Sequence, residues 1–331
     1  MALLLSEADV KSVLTMPLAL DWVETSFRRL AEGSATCHSR QRLFVPGKTV
    51  LNYMAASDPA GGYLGLKIYT ISGHQARFVV PLFAAESGEL VALIEADYLG
   101  QVRTGAASGV ATRVLARQDA RTAGIIGTGS QARTQLEAIA HVRKLERVRA
   151  YGRDPQRRAQ FVSEMSERIG VPVTAVSSAE EAVRGADILA AATTAAAPVV
   201  EGRWLAPGVH INAIGINVPQ KREIDAETVR RAGLIAADSP EQSRRESGDL
   251  LQVFGDDATQ WARVLDLASI VAGKTPGRAS RDQITLFKSN GIAIEDIVVG
   301  GRVYELARER GLGREIPMWR EEGTSAERRG A

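Results

Sequence analysis

Residues 127–132, Gly-Thr-Gly-Ser-Gln-Ala, carry the sharpest chemical signal in this sequence. They follow the apolar run at 122–126 and open an amphipathic stretch at 130–142, reading G-x-G-x-x-A. In such a loop Gly127 makes the tight turn, Gly129 lets the backbone approach a pyrophosphate, and Ala132 allows close helix–strand packing. The free N–H groups of the following helix, with Thr128, Ser130 and Gln131 in the loop, face the phosphates. The pattern predicts a bound nicotinamide dinucleotide. The next apolar run ends at Tyr151-Gly152-Arg153-Asp154. NAD-specific folds place a carboxylate there for the ribose 2′-OH. Gly152 supplies none, and Arg153 can pair with a 2′-phosphate. NADP is therefore favoured over NAD, with Asp154 left either to cap the next helix or to bind the ribose.

Other chemistries find little support. His38, His74, His141 and His210 show no metal-ligand spacing, and no G-x-S-x-G motif is present, which argues against metal-dependent and covalent serine mechanisms. The single cysteine, Cys37, reads as a small hydrophobe and excludes an internal disulfide.

The elements around the glycine loop set its context. Strict alternation of apolar runs and helical stretches begins at 122 and predicts a parallel sheet wrapped by helices, with LIAADS (234–239) as its closing strand. Before it, short apolar runs over 40–96 are divided by Gly, Pro, Asp and Ser and predict a mostly antiparallel sheet. A helix over about 98–116 is rich in small residues suited to close packing. At the start, a first strand or turn leads into a helix capped at Ser6, with Glu7 and Asp9 in its first turn. A second helix carries Leu20, Val23, Phe27 and Leu30 on one face and ends at Gly33. A last helix, AIEDIVVGGRVYELARERG (293–311), is expected to return to the first domain because the parallel layers are already filled. The polar tail from Trp319 is read as frayed.

The whole is thus α/β: a doubly wound Rossmann sheet at 117–291, plus an α+β substrate and dimerisation domain built from 1–116 and 292–331. A length of 331 residues suits two domains, and 41 basic against 39 acidic residues give a net charge of +2, too balanced for a nucleic-acid protein. No apolar segment is long enough to span a bilayer, and no signal-peptide pattern opens the chain, so a soluble, cytoplasmic protein is expected.

Six segments in order resemble the ornithine cyclodeaminase/mu-crystallin family: GLKIYT (65–70), QVRTGAAS (101–108), GIIGTGSQA (124–132), AATT (191–194), HINAIGINVPQKREID (210–225) and ITLFKSNGIAIEDI (284–297). The resemblance implies an NAD(P)-dependent enzyme acting on small amino or imino acids, and a homodimer. It places Arg42, Lys67 and Arg103 at the substrate carboxylate or beside the chemistry. Thr104, Gly129, Ser130, Gln131, Thr193, Ile214 and Lys221, with Arg103, fall at cofactor-contacting positions. Ser289 and Asn290 belong to a loop reaching the nicotinamide and the substrate. The chemistry agrees: guanidinium forks suit a carboxylate, and a buried lysine has a pKa low enough for proton transfer.

One departure matters. Cyclodeaminases of this family carry an aspartate where this sequence has Asn217, which cannot ionise. The expectation is therefore an imino-acid or cyclic-ketimine reductase, or in reverse an amino-acid dehydrogenase such as alanine dehydrogenase, with Lys67 and Asn217 at the reacting centre. The alternatives are ornithine cyclodeamination with NAD as catalytic cofactor, and a binding role without turnover.

Overall fold

The computed structural model describes residues 1–73 and 75–318. His74 and the tail from Trp319 lie outside the described residues. The chain opens with β1 (Ala2–Leu5), α1 (Glu7–Val13), α2 (Met16–Glu32), β2 (Thr36–Cys37), β3 (Gln41–Val45), β4 (Thr49–Asp58), β5 (Tyr63–Ser72), β6 (Gln75–Ala84), β7 (Leu90–Glu95) and α3 (Asp97–Leu115). Ser6 and Asp9 form a reciprocal capping box at α1, and α2 ends at Gly33 in the left-handed conformation. Strands β4 to β7 form an antiparallel meander, and β1 joins its far edge parallel to β7.

The second sheet is built by β8 (Thr122–Ile126), α4 (Ser130–Val142), β9 (Arg147–Tyr151), α5 (Pro155–Ile169), β10 (Val173–Ala175), α6 (Ala179–Val183), β11 (Ile188–Ala191), β12 (His210–Ala213), α7 (Ala226–Arg231), β13 (Leu234–Ala237), α8 (Pro240–Glu246), α9 (Gly248–Phe254), α10 (Ala258–Trp261), β14 (Val264–Asp266), α11 (Leu267–Val271) and β15 (Thr285–Lys288). Its order is β10-β9-β8-β11-β12-β15-β13-β14, all pairs parallel. The chain then runs through α12 (Ala293–Glu309) to β16 (Arg314–Ile316), which pairs with β1.

One strand assignment is corrected. LIAADS does not close the parallel sheet: β14 lies outside it, and β15 inserts between β12 and β13. The run ITLFK hides its strand because it ends in a lysine, yet Lys288 is fully buried, with Nζ 2.8 Å from Asp249 Oδ2 and 2.6 Å from the carbonyl of Ile216. A charge can sit inside a sheet when it is paired and hydrogen-bonded in this way.

Helix α12 does return to the first sheet, packing on β4, β5, α2 and α3. The apolar core under that sheet also takes in Leu267, Ala268, Ile270 and Val271 of α11, so the two sheets share packed material. Among the described residues, no helix is long and apolar enough to cross a membrane.

Candidate active site

The strands of a doubly wound sheet diverge in connection at one point, and ligands bind at the carboxyl ends there. In this chain the point lies between β8, whose chain turns toward β9, and β11, which begins the other half. Gly127 follows β8 with φ +111°, and a Cβ on it would come 2.4 Å from the carbonyl of Ala192 beyond β11. Only glycine fits that turn. A Cβ on Gly129 would meet nothing within 4 Å, so its backbone faces open space. Helix α4 has no side-chain cap, which leaves its first N–H groups available for an anion. Ala132 is buried at the helix–strand contact. These features fit a dinucleotide pyrophosphate.

The loop opens on a cleft of about 1330 Å³ that runs past Gly127, Thr128, Gly152 and Arg153 to Thr193. Asp154 proves to be the cap of α5, its Oδ1 accepting from the N–H groups of Gln156 and Arg157 at 2.9 and 3.0 Å. Arg153 and Arg157 both line the cleft, and Arg153 makes no side-chain hydrogen bond or ion pair among the described residues.

A second cavity of about 360 Å³ shares Gly129, Ala192, Thr193 and Thr194 with the cleft, so the two are continuous. It lies between the parallel sheet and the meander. Lys67, Arg103, Thr104, Ser130, Gln131, Ile214, Asn217, Ser289 and Asn290 all line it. Lys67 points inward because residues 65, 67 and 69 of β5 share the buried face, and Gly100 on α3 leaves it room: a Cβ there would lie 2.7 Å from Lys67 Nζ. Nζ also lies 5.3 Å from the centre of the Phe78 ring.

Charge in the cavity is closely paired. Asp296 Oδ1, in the first turn of α12, accepts from Lys67 Nζ at 2.6 Å and from Arg103 Nε at 3.1 Å. Glu295 Oε2 accepts from Arg103 Nη1 at 2.6 Å. The helix N-terminus favours both carboxylates. Burial pulls the Lys67 ammonium down to about 8, against the attraction of Asp296 and with the repulsion of Arg103. Burial likewise pushes the Glu295 carboxyl up to about 8, against Arg103 and with Asp238 and Asp296 adding to it. Arg103 is held above the usual guanidinium range: burial opposes this, and the charges of Asp296 and Glu295 outweigh it.

Besides the buried Ala132, two predicted residues stand apart from the linings. Arg42 reaches Asn52 Oδ1, Glu246 Oε2 and the carbonyl of Asn217 at 3.2, 2.6 and 2.9 Å, but does not line the cavity. Arg40, two residues earlier, does line it, held by Glu246 and by the carbonyls of Asn290 and Gly291. Lys221 is exposed and borders neither space. The sequence reading also missed Asp296, Glu295 and the apolar wall of Met54, Tyr69, Ile71 and Phe78. The adjacent acids in an otherwise apolar AIEDIVV run were the visible sign of the first two.

Supporting carboxylates hold the loops. Asp238 Oδ2 accepts from Ser289 Oγ and from the N–H groups of Asn290 and Gly291, at 2.9, 2.8 and 2.6 Å. Glu223 is buried and takes the N–H groups of Thr193 and Gly215. His210 is buried between Thr285 and Asn212, and burial drops its imidazole to about 3, so it stays neutral.

Residues 1–311 match the ornithine cyclodeaminase/mu-crystallin family. The chain belongs to that family. It is 38% identical over 261 residues to a Delta(1)-pyrroline-2-carboxylate reductase of Bacillus cereus, covering 76% of this chain and 80% of the relative. The Delta(1)-pyrroline-2-carboxylate reductase of Thermococcus litoralis, solved in complex with NADH and L-proline, superposes with a TM-score of 0.91 at 38% identity, over 95% of this chain and 100% of that one. An archaeal alanine dehydrogenase dimer with bound NAD gives a TM-score of 0.90 at 34% identity, over 96% and 99%. Family members of known structure thus carry the nicotinamide cofactor that the glycine loop of this chain fits.

Proposed function

We propose that this chain is an NAD(P)H-dependent reductase of small cyclic 2-imino acids, with Δ1-pyrroline-2-carboxylate the first substrate to try. The observation that carries the reading is the meeting of Lys67 and Arg103 on one carboxylate, in a cavity continuous with the dinucleotide cleft. A reduced nicotinamide, when bound, supplies a hydride to the carbon of the C=N bond. Arg103 and Arg40 hold the substrate carboxylate, and the Lys67 ammonium delivers a proton to the nitrogen, completing conversion of C=N to CH–NH. Met54, Tyr69, Ile71 and Phe78 offer an apolar wall to ring methylenes. That the Thermococcus relative was solved with NADH and L-proline supports this substrate class.

Cyclodeamination of ornithine needs a counter-charge for the distal ammonium, and an unpaired buried charge costs several kcal/mol. Asn217 supplies only a dipole. Glu223 and Asp225, the next acids along the chain, are committed elsewhere, Asp225 as the cap of α7. Among the described residues, Asp97 is the acid that lines the cavity.

Oxidation of NADPH or NADH with Δ1-pyrroline-2-carboxylate tests the reading. Reduction needs protonated Lys67, so it is expected to hold below a pH of about 8 and to fall above it. Ornithine with NAD should give no proline or ammonia. Ready conversion of ornithine would overturn the assignment and point to Asp97.

NADPH is the preferred cofactor in this reading, because Arg153 and Arg157 border the cleft where Gly152 leaves no carboxylate. The protein works as a cytoplasmic homodimer, with residues 1–116 and 292–331 serving substrate binding and dimerisation and 117–291 serving the cofactor. The dimer of the archaeal alanine dehydrogenase supports the pairing.

A further inference from the structure

We propose that Asp296 is the positioning residue that holds the proton donor and the carboxylate clamp in register with a 2-imino acid. The proposal rests on the roles of Lys67 and Arg103 given above. In such a substrate the imine nitrogen and the carboxylate hang from the same carbon. A proton donor for one and a guanidinium for the other must therefore sit close together at a fixed separation. Asp296 meets this requirement with a single atom, since its Oδ1 accepts from both Lys67 Nζ and Arg103 Nε. Small displacements in such a constellation are costly to rate.

The rest of the structure fixes that atom. Asp296 is fully buried in the first turn of α12, and the neighbouring Ile294 and Ile297 are buried in the core beneath the meander. Glu295, one residue before, grips Arg103 at Nη1, so the guanidinium is pinned along two edges. The opening that admits Lys67 is set by Gly100 of α3. Three separate elements, β5, α3 and α12, thus converge on one carboxylate oxygen.

Asp296 also sets the charge of the donor. The groups around Lys67 are Asp296 and Glu295 from α12, Arg103 and Asp97 from α3, Arg40 ahead of β3, Tyr69 on its own strand and the Phe78 ring from β6. Among the described residues, Asp296 alone of these accepts a hydrogen bond from Nζ. Its negative charge favours the ammonium form, while burial and the two arginines disfavour it. Removing the charge makes Lys67 lose its proton at lower pH.

The test compares Asp296→Asn with the wild-type chain in Δ1-pyrroline-2-carboxylate reduction. It records kcat and KM across pH, and NADPH binding by cofactor fluorescence. The expected result is a displacement of the alkaline limb to lower pH by about one unit. The imino-acid KM should rise about tenfold, while NADPH affinity is kept. A profile lowered by the same factor at every pH, with its limb unmoved, overturns the proposal and leaves Asp296 a structural residue. Should the amide variant fail to bind NADPH, Asp296→Glu carries the test. It keeps the charge but moves the oxygen, so the limb should stay and kcat should fall; an unchanged kcat sinks the idea. Lys67→Met separates the two readings, because full activity in that variant removes Lys67 as donor, whatever Asp296 does.

Discussion

At the scale of single residues, the proposed preference for NADPH turns on what is missing. The Cβ of any residue replacing Gly152 would lie 2.7 Å from Thr128 Cγ2, so a carboxylate at this position would require the Thr128 side chain to shift. Arg153 stands next to the gap, exposed and without a protein partner among the described residues. Arg153→Ala should therefore weaken NADPH binding by about 1–3 kcal/mol, the worth of a hydrogen bond between charged groups, and leave NADH binding unaltered. Paired titrations with the two cofactors check this; equal losses for both would refute a 2′-phosphate contact. The glycine loop could be read from the sequence because Gly127 answers a local backbone demand and Gly129 leaves open the space a pyrophosphate needs. The arginines were harder. Arg40 and Arg42 are two residues apart, and which of them borders the cavity depends on where Glu246, some 200 positions away, draws each guanidinium. No local pattern carries that information. Asp296 stood out as an acid in an apolar run, but its role was hidden because its partners lie on β5 and α3.

At the scale of elements, helix α3 joins the two halves of the site. It carries Gly100 and Arg103 on its cavity face and packs on both α2 and α4. The small residues at 105–109 suggested close approach, and the contacts are tight. A Cβ on Gly105 would lie 2.5 Å from the carbonyl oxygen of Thr134 on α4, with backbone on both sides and little room to yield. Gly105→Ala should push the helices apart and destabilise the protein by about 1–3 kcal/mol, read as a lower thermal midpoint. It should also weaken cofactor binding, because α4 opens with the glycine loop. A variant as stable as the wild type would show that the helices are not held in contact here. Most elements were legible from their apolar period, including the capped α1 and the returning α12. β15 was not, because its strand is four residues long and ends in a buried lysine whose partners, Asp249 and the carbonyl of Ile216, come from segments the period does not register.

At the scale of the whole molecule, the meander has an apolar corner, at the end of its otherwise covered inner face, that a single chain leaves open. Cross-strand pairing aligns Phe44 with Val50 and Val50 with Ile71, making an apolar row over β3, β4 and β5. Phe44 is 67% exposed and Ile71 42%, with Leu43 and Val45 exposed on the opposite side of the same edge strand. An exposed apolar edge strand invites pairing and is normally blunted by charge or covered. The occupant that fits the homodimer proposed above is a second copy of the chain. The same sheet face carries Asn52 opposite Tyr69 in the next row and Met54 opposite Lys67 beyond it, so the row is continuous with the wall of the cavity. Ile71 belongs to both, lining the cavity while lying partly open. Phe44→Asp should therefore convert the proposed dimer to a monomer in sedimentation at micromolar concentration, since a charge buried in that contact would be unpaired. The cofactor cleft does not include this edge, and NADPH affinity should persist in the monomer. The imino-acid KM should rise, because the rim at Ile71 loses its cover. A Phe44→Asp protein that still sediments as a dimer would place the interface elsewhere, and a monomer with unchanged KM would separate assembly from the site.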